Sequence, residues 1–305
     1  MLPLPSRCVW SWGKENQVVE STGSGTDLRF PDRLYEGYIF DLDGTIFLGD
    51  ELLPGAKRLI LKLREFGKRV VFLSNNPTRD PRMYAEKLAK LGLPADVSEI
   101  VNTVVTMTQW LLQNHPDAVV FPIGEEPLKN ALQEAGISLS EDPEEIDIVI
   151  ASYDRGFEYR KLQIAFDAIW FHKRARLVTT NPDRYCPFPG GRGEPDSAAI
   201  VAAIEACTGA KCEANVGKPD PIMLETVMGL LGLDARECVM TGDRLYTEIR
   251  MALDAGMPSA VVLTGETKAE DLGKESRENL PDYTLDRIDR LVPPRMWEEF
   301  GWRDN

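Results

Sequence analysis

Four strand-like segments in this chain each lead into a polar residue, and that recurrence constrains the fold more than any other feature. Tyr38-Ile39-Phe40 ends at Asp41, and residues 69–73 end at Ser74. Residues 213–216 lead into Gly217-Lys218-Pro219, and residues 238–240 run on to Asp243. Helical patterns separate them. From about Pro54, residues Leu59, Ile60, Leu63 and Phe66 share one helical face, with Gly67 as the stop. Asp80-Pro81 reads as an N-cap followed by proline at the first helical position, opening a helix that runs to Gly92. Strands alternating with helices predict an α/β domain built on a mainly parallel sheet. In such open sheets ligands bind at the carboxyl ends of the strands, so the four polar stops are expected to meet.

The middle of the chain repeats the alternation. Residues 119–123, 147–151 and 177–179 read as strands. Residues 127–135 and 159–173 read as helices, the second with Leu162, Ala165, Phe166, Ile169 and Trp170 facing inward. We therefore expect an inserted domain at 80–185, within a core formed by 31–79 and 186–305. Residues 1–30, rich in Ser, Thr and Gly between 20 and 27, are expected to form a flexible extension. Near the end, Trp297, Phe300 and Trp302 fit either docking on the core or a sticky surface.

Composition excludes several classes. The net charge of -14 repels nucleic-acid phosphates, and no basic patch relieves it. No run of about 18 apolar residues suggests a membrane span, and the first 30 residues lack a signal-peptide pattern. Five cysteines form no C-x-x-C pair, which suits thiols in a reducing cytoplasm. His115 and His172 lie far from any nucleophile, so a Ser-His-Asp scheme has no base. Gly190-Gly191-Arg192-Gly193 lacks the Lys-Ser or Lys-Thr of a P-loop, and no G-x-G-x-x-G follows the first strand.

The polar stops suit phosphoryl transfer, which needs an in-line nucleophile, charge neutralisation and a proton donor for the leaving oxygen. Asp41 can be the nucleophile. Asp43, two residues on, can share its direction in extended chain and act as general acid, then base. Gly44 permits an unusual turn, and Thr45 can fix it through its hydroxyl. Asp41 and Asp243 are hard oxygen donors suited to Mg²⁺. Lys218 supplies a compact positive charge, and Ser74 with the N-H groups after it can hydrogen-bond phosphate oxygens. Each residue alone could equally be a turn or capping residue; the argument rests on the set.

Asp41-Leu42-Asp43-Gly44-Thr45, Leu73-Ser74-Asn75-Asn76, Val216-Gly217-Lys218-Pro219 and Thr241-Gly242-Asp243-Arg244-Leu245-Tyr246-Thr247-Glu248 resemble, in order, the four motifs of haloacid dehalogenase-like hydrolases. The resemblance implies a Rossmann-like core and an aspartyl-phosphate mechanism. It implies Mg²⁺ held by Asp41, Asp43 and Asp243. The insertion between the second and third motifs resembles the larger, α/β type-two cap of subfamily IIA. That branch includes NagD-like, para-nitrophenyl-phosphate, phosphoglycolate and sugar-phosphate phosphatases. Residues 153–159 and Thr180-Asn181-Pro182-Asp183-Arg184 agree with it.

By the resemblance, Thr45, Ser74, Asn75, Asn76 and Lys218 bind the phosphate, and Asn181, Asp183 and Arg184 read the organic part. The expected ligand is a small phosphorylated metabolite, and pairing through the cap is an option. Two departures stand out. Glu248 replaces the usual aspartate and is expected to act behind the ligands, on a metal-bound water or on Lys218. Gly193-Glu194-Pro195-Asp196 replaces a Gly-Thr-Gly-like run, with Asp196 as a helix cap. Phosphotransfer to another acceptor, or metabolite binding without turnover, are the competing readings.

Overall fold

A computed structural model describes residues 28–188 and 191–303. The extension expected at 1–30 lies almost wholly outside the described residues, as do Cys8 and Gly190. Strand β1 (Gly37–Asp41) opens the fold, followed by a small hairpin, β2 (Phe47–Leu48) with β3 (Glu51–Leu52). Helix α1 (Ala56–Glu65), β4 (Arg69–Ser74), α2 (Pro81–Lys90) and β5 (Ile100–Asn102) come next. Helix α3 (Thr103–Asn114) leads into β6 (Val119–Ile123), α4 (Glu126–Glu134), β7 (Ser138–Leu139), β8 (Ile148–Ala151), α5 (Tyr159–Phe166) and β9 (Arg176–Thr179). The hairpin β10 (Tyr185–Phe188) and β11 (Arg192–Pro195) precedes α6 (Ser197–Thr208) and β12 (Cys212–Asn215). The chain returns through α7 (Pro221–Leu231), β13 (Cys238–Gly242), α8 (Arg250–Asp254), β14 (Ser259–Val262), α9 (Ala269–Leu272), β15 (Tyr283–Leu285) and α10 (Pro294–Trp297).

Two parallel sheets result. The first has the order β15-β14-β13-β1-β4-β5, and the second β12-β9-β8-β6-β7. Both are buried on two faces, because the side chains of a strand alternate. In β1, Tyr38 and Phe40 join Leu59, Ile60 and Leu63 of α1 in one cluster. Ile39 points the other way, to Met223, Leu224 and Val227 of α7. The second sheet divides likewise: Phe121 and Val149 pack on Ile164 and Ile200, while Val120 and Ile148 pack on Leu128 and Leu132.

The local signals behave as their chemistry dictates. Asp80 caps α2, its carboxylate accepting from Met83 N at 2.8 Å, with Pro81 at the first helical position. Gly67 ends α1 at φ +66°, a left-handed angle that costs glycine nothing.

Two expectations need correction. The boundaries at 79/80 and 185/186 cut across the sheets. β5 pairs with β4 in the first sheet, and β12 pairs with β9 in the second. β5 has only three residues, too few to register in a sequence pattern, and the strand end at 213–216 was expected in the core although it belongs to the second sheet. The helix expected over 159–173 keeps α-geometry only to Phe166, then widens into a π-turn over Asp167–Phe171. That turn rotates Trp170 outward, where it stacks on Phe166 at 5.1 Å and is 53% exposed. Of the two readings open for the C-terminal aromatics, docking is the one found. Trp297 is buried, with the guanidinium of Arg290 4.6 Å from its ring centre, and Phe300 packs on Phe66 at 5.1 Å.

Candidate active site

The two central strands place two carboxylates side by side. β1 pairs with β13, with Phe40 opposite Thr241, so Asp41 and Asp243 emerge at the same sheet edge. On the other side Asp41 is opposite Leu73, and Ser74 follows at the end of β4. Lys218 arrives in the loop after β12, bringing a cation from beyond the second sheet. Its Nζ stands 2.5 Å from Asp41 Oδ1 and 2.5 Å from Glu248 Oε1, and all three side chains are buried. Thr45 Oγ1 donates to Asp41 Oδ2 at 3.4 Å.

Asn75 positions Lys218 through the backbone. Its Oδ1 accepts from Lys218 N at 2.8 Å, and its Nδ2 donates to Lys218 O at 3.1 Å. The same Nδ2 donates to Asp183 at 3.0 Å, which also accepts from Asn181 at 2.9 Å. Asn181 continues to Asp196 at 3.1 Å. A buried polar network therefore runs from the end of β4 into the loop after β9, and such a network holds one geometry when every member is satisfied. Asp196 accepts from Ser197 N and caps α6, as expected. Ser74 Oγ shares a 2.8 Å hydrogen bond with Tyr84 OH and accepts from Asn76 N at 3.2 Å.

Glycines let Asp243 and Glu248 approach. A Cβ on Gly265 would meet Asp243 Oδ2 at 1.9 Å, and one on Gly44 would meet it at 2.5 Å. Gly44 also takes φ +88°. A Cβ on Gly242 would fall 2.3 Å from Glu248 Cγ. Asp243 Oδ2 accepts from Glu266 N at 2.7 Å. Its Oδ1 is buried and, among the described residues, has no hydrogen-bond partner.

The site carries more negative charge than its own cations satisfy. Burial pushes the Asp41 carboxyl up to about 8, opposed by Lys218 and reinforced by Glu248 and Asp243. Burial, then Glu248, raises Asp243 to about 6. Burial also opposes the charge on Glu248, but Lys218 outweighs it and holds that carboxyl below its ordinary value. Burial alone would lower the Lys218 ammonium; Asp41 and Glu248 raise it instead. Asp43 has an exposed surface, yet surrounding atoms desolvate its carboxyl enough to raise it, against Lys87, Arg79, Lys218 and Arg244.

These features suit a divalent cation. A buried carboxylate oxygen without a partner, beside a second carboxylate, is a hard-oxygen donor set that lacks its positive charge. Among the described residues, no three His, Cys, Asp or Glu side chains converge as a complete cage. Mg²⁺ asks for less, since one or two carboxylates with waters and substrate phosphate suffice.

The structure brings together Asp41, Thr45, Lys218, Asp243 and Glu248, with Asn75 and Asn181 behind them. Arg184 is exposed. Sequence reasoning missed Tyr84, which meets Ser74, and the Gly265-Glu266 turn, which meets Asp243. The turn lies just past β14, so one more strand end was its signal.

The family model of haloacid dehalogenase-like hydrolases matches residues 38–138, and a related model, HAD-hydrolase-like, matches residues 215–291. The sugar-phosphatase AraL of Bacillus subtilis is 38% identical over 252 residues, covering 83% of this chain and 90% of that protein. The 5'-nucleotidase YutF of the same organism is 31% identical over 261 residues, covering 86% of this chain and 99% of its own length. Among solved structures, a 4-nitrophenylphosphatase from Thermotoga maritima superposes with a TM-score of 0.79 at 32% identity, covering 84% of this chain and 96% of that one. With its four motifs at strand ends and these relatives along most of its length, the chain belongs to the haloacid dehalogenase-like hydrolases, in the phosphatase subfamily IIA.

Proposed function

We propose that this protein is a Mg²⁺-dependent phosphatase of small phosphorylated metabolites, sugar phosphates foremost, working through a phosphoryl group carried on Asp41. The observation that carries this reading is the buried contact of 2.5 Å between Asp41 Oδ1 and Lys218 Nζ, beside the unpartnered oxygen of Asp243. The sugar class is supported by the relative named sugar-phosphatase, and the relative named 5'-nucleotidase makes nucleoside monophosphates the nearest competitor.

In the first step a carboxylate oxygen of Asp41 forms a bond to phosphorus, and the ester oxygen leaves. Asp43 gives that oxygen its proton. In the second step Asp43 takes a proton from water, whose oxygen attacks phosphorus, releasing phosphate and restoring Asp41. Lys218 and hydrogen bonds from Thr45, Ser74, Asn75 and Asn76 balance charge on the phosphoryl oxygens. Mg²⁺, held by Asp41, Asp43 and Asp243, would neutralise substrate phosphate and carboxylates together. Glu248 acts from behind, by holding Lys218.

The second sheet and its helices serve as a cap over this edge, with Asp183 and Arg184 toward the organic part and buried Asn181 holding Asp183 from behind. Exposed Trp170 and Phe171 offer an apolar face for pairing of two copies. Four free cysteines among the described residues suit the cytoplasm.

Turnover of glucose 6-phosphate and AMP, with Mg²⁺ and with EDTA, tests the reading. Metal-dependent release of phosphate from the sugar ester is expected, lost in Asp41→Asn. Turnover that persists in EDTA or in that variant would overturn it.

A further inference from the structure

We propose that Arg79 and Lys87 form an anion-binding subsite beside Asp43, selecting phosphate monoesters whose organic part carries a second negative group, a carboxylate or another phosphate. The inference rests on the reading of Asp43 as proton donor. A group that protonates the leaving oxygen touches the leaving alcohol, so the surroundings of Asp43 are the surroundings of the substrate's organic part.

Two cations stand there in a strongly acidic protein. Asp43 pairs with Phe47 in an isolated bridge, and Lys87 lies over the ring of that same Phe47. Asp50 also faces Lys87. Among the described residues, however, neither Arg79 nor Lys87 has an ion-pair partner within hydrogen-bonding reach; aromatic rings hold them instead. Lys87 Nζ lies 3.8 Å from the ring centre of Phe47, and the Arg79 guanidinium 5.8 Å from that of Tyr84. Both rings are tied to the catalytic turns. Phe47 O accepts from Gly44 N at 2.8 Å, and Tyr84 OH meets Ser74 Oγ at 2.8 Å. Arg79 is anchored through its carbonyl, which accepts from Asn102 Nδ2 at 2.6 Å.

The other cations of the site are already engaged. Lys218 lies between Asp41 and Glu248, and Arg244 pairs with Glu266 at 2.9 Å. Arg79 and Lys87 are both half-buried, so they keep solvent access while their rings fix them. A planar guanidinium beside a point-like ammonium suits carboxylate or phosphate oxygens.

The test compares three esters of one sugar framework with the Mg²⁺-loaded enzyme. Glucose 6-phosphate has a neutral organic part, 6-phosphogluconate adds a carboxylate, and glucose 1,6-bisphosphate adds a phosphate. A charged hydrogen bond is worth about 1.5–3 kcal/mol, so kcat/KM for one or both anionic esters should exceed the neutral one by about tenfold or more. Lys87→Met and Arg79→Gln should shrink that ratio, and Lys87→Arg should restore most of it; melting curves confirm that each variant folds. A preference for one anionic ester over the other says which group the subsite takes. Equal kcat/KM for all three esters, or variants that lose all three in proportion, would overturn the proposal. If no ester is hydrolysed, the phosphatase reading fails by itself. Calorimetric binding to Asp41→Asn protein then decides: tighter binding of 6-phosphogluconate than of glucose 6-phosphate, abolished by Lys87→Met, upholds the subsite, and equal binding refutes it.

Discussion

Lys218 Nζ lies 2.5 Å from Glu248 Oε1, so the longer acid of the fourth motif reaches the lysine of the third. The glycine at 242 makes the reach possible, because any side chain there would occupy the space of Glu248 Cβ and Cγ. Glu248→Gln keeps the shape and removes the charge. Removing one member of a buried ion pair costs about 3–5 kcal/mol, and Lys218 keeps Asp41, so the expected loss is about 3 kcal/mol. Urea unfolding measures it; an unchanged midpoint would mean that the pair contributes nothing to the fold.

Gly265→Ala should damage catalysis more than folding. The new Cβ falls on Asp243 Oδ2 and forces that carboxylate aside. Overpacking costs about 1–3 kcal/mol, whereas misplacing a preorganised group costs about 10²–10³-fold in kcat. Kinetics and a melting curve on the same sample separate the two effects.

Mg²⁺ should raise the melting temperature of the wild type, since it binds the folded chain at carboxylates the unfolded chain does not assemble. At a hundred times its Kd the gain is about 2.7 kcal/mol. Asp243→Asn should lose most of that gain, and calorimetric scans with Mg²⁺ and with EDTA would reveal it.

Trp297→Ala should destabilise the first domain by about 3–5 kcal/mol, because it empties a buried site rather than trimming a surface. The loss should grow with the contacts of Arg58 and Arg290 on that ring. A change below about 1 kcal/mol would mean that the tail is merely laid on the core.

Much of the site was legible because strand ends announce themselves. The runs before Asp41, Ser74 and Asp243 are apolar and end abruptly, which is what a strand buried on two faces requires. The Asp80-Pro81 cap was equally local. What escaped notice depended on distance. β5 and β12 join their sheets through pairings with strands distant in the chain, and nothing local in either segment says which sheet it will join. Trp170 faces out because one wide turn at 167–171 shifts the helical phase, which no periodicity could foresee. Glu248 was readable as an acid near the site, but its choice of Lys218 follows from the room Gly242 leaves.

The most direct test of the central claim is to trap the phosphoryl group on the enzyme. Wild-type protein with Mg²⁺ and glucose 6-phosphate, quenched in acid during turnover and digested, is examined by mass spectrometry. The account predicts a phosphorylated peptide spanning Asp41, absent from Asp41→Asn. Hydrolysis without any phosphorylated peptide at Asp41, or with the group on another residue, would contradict it.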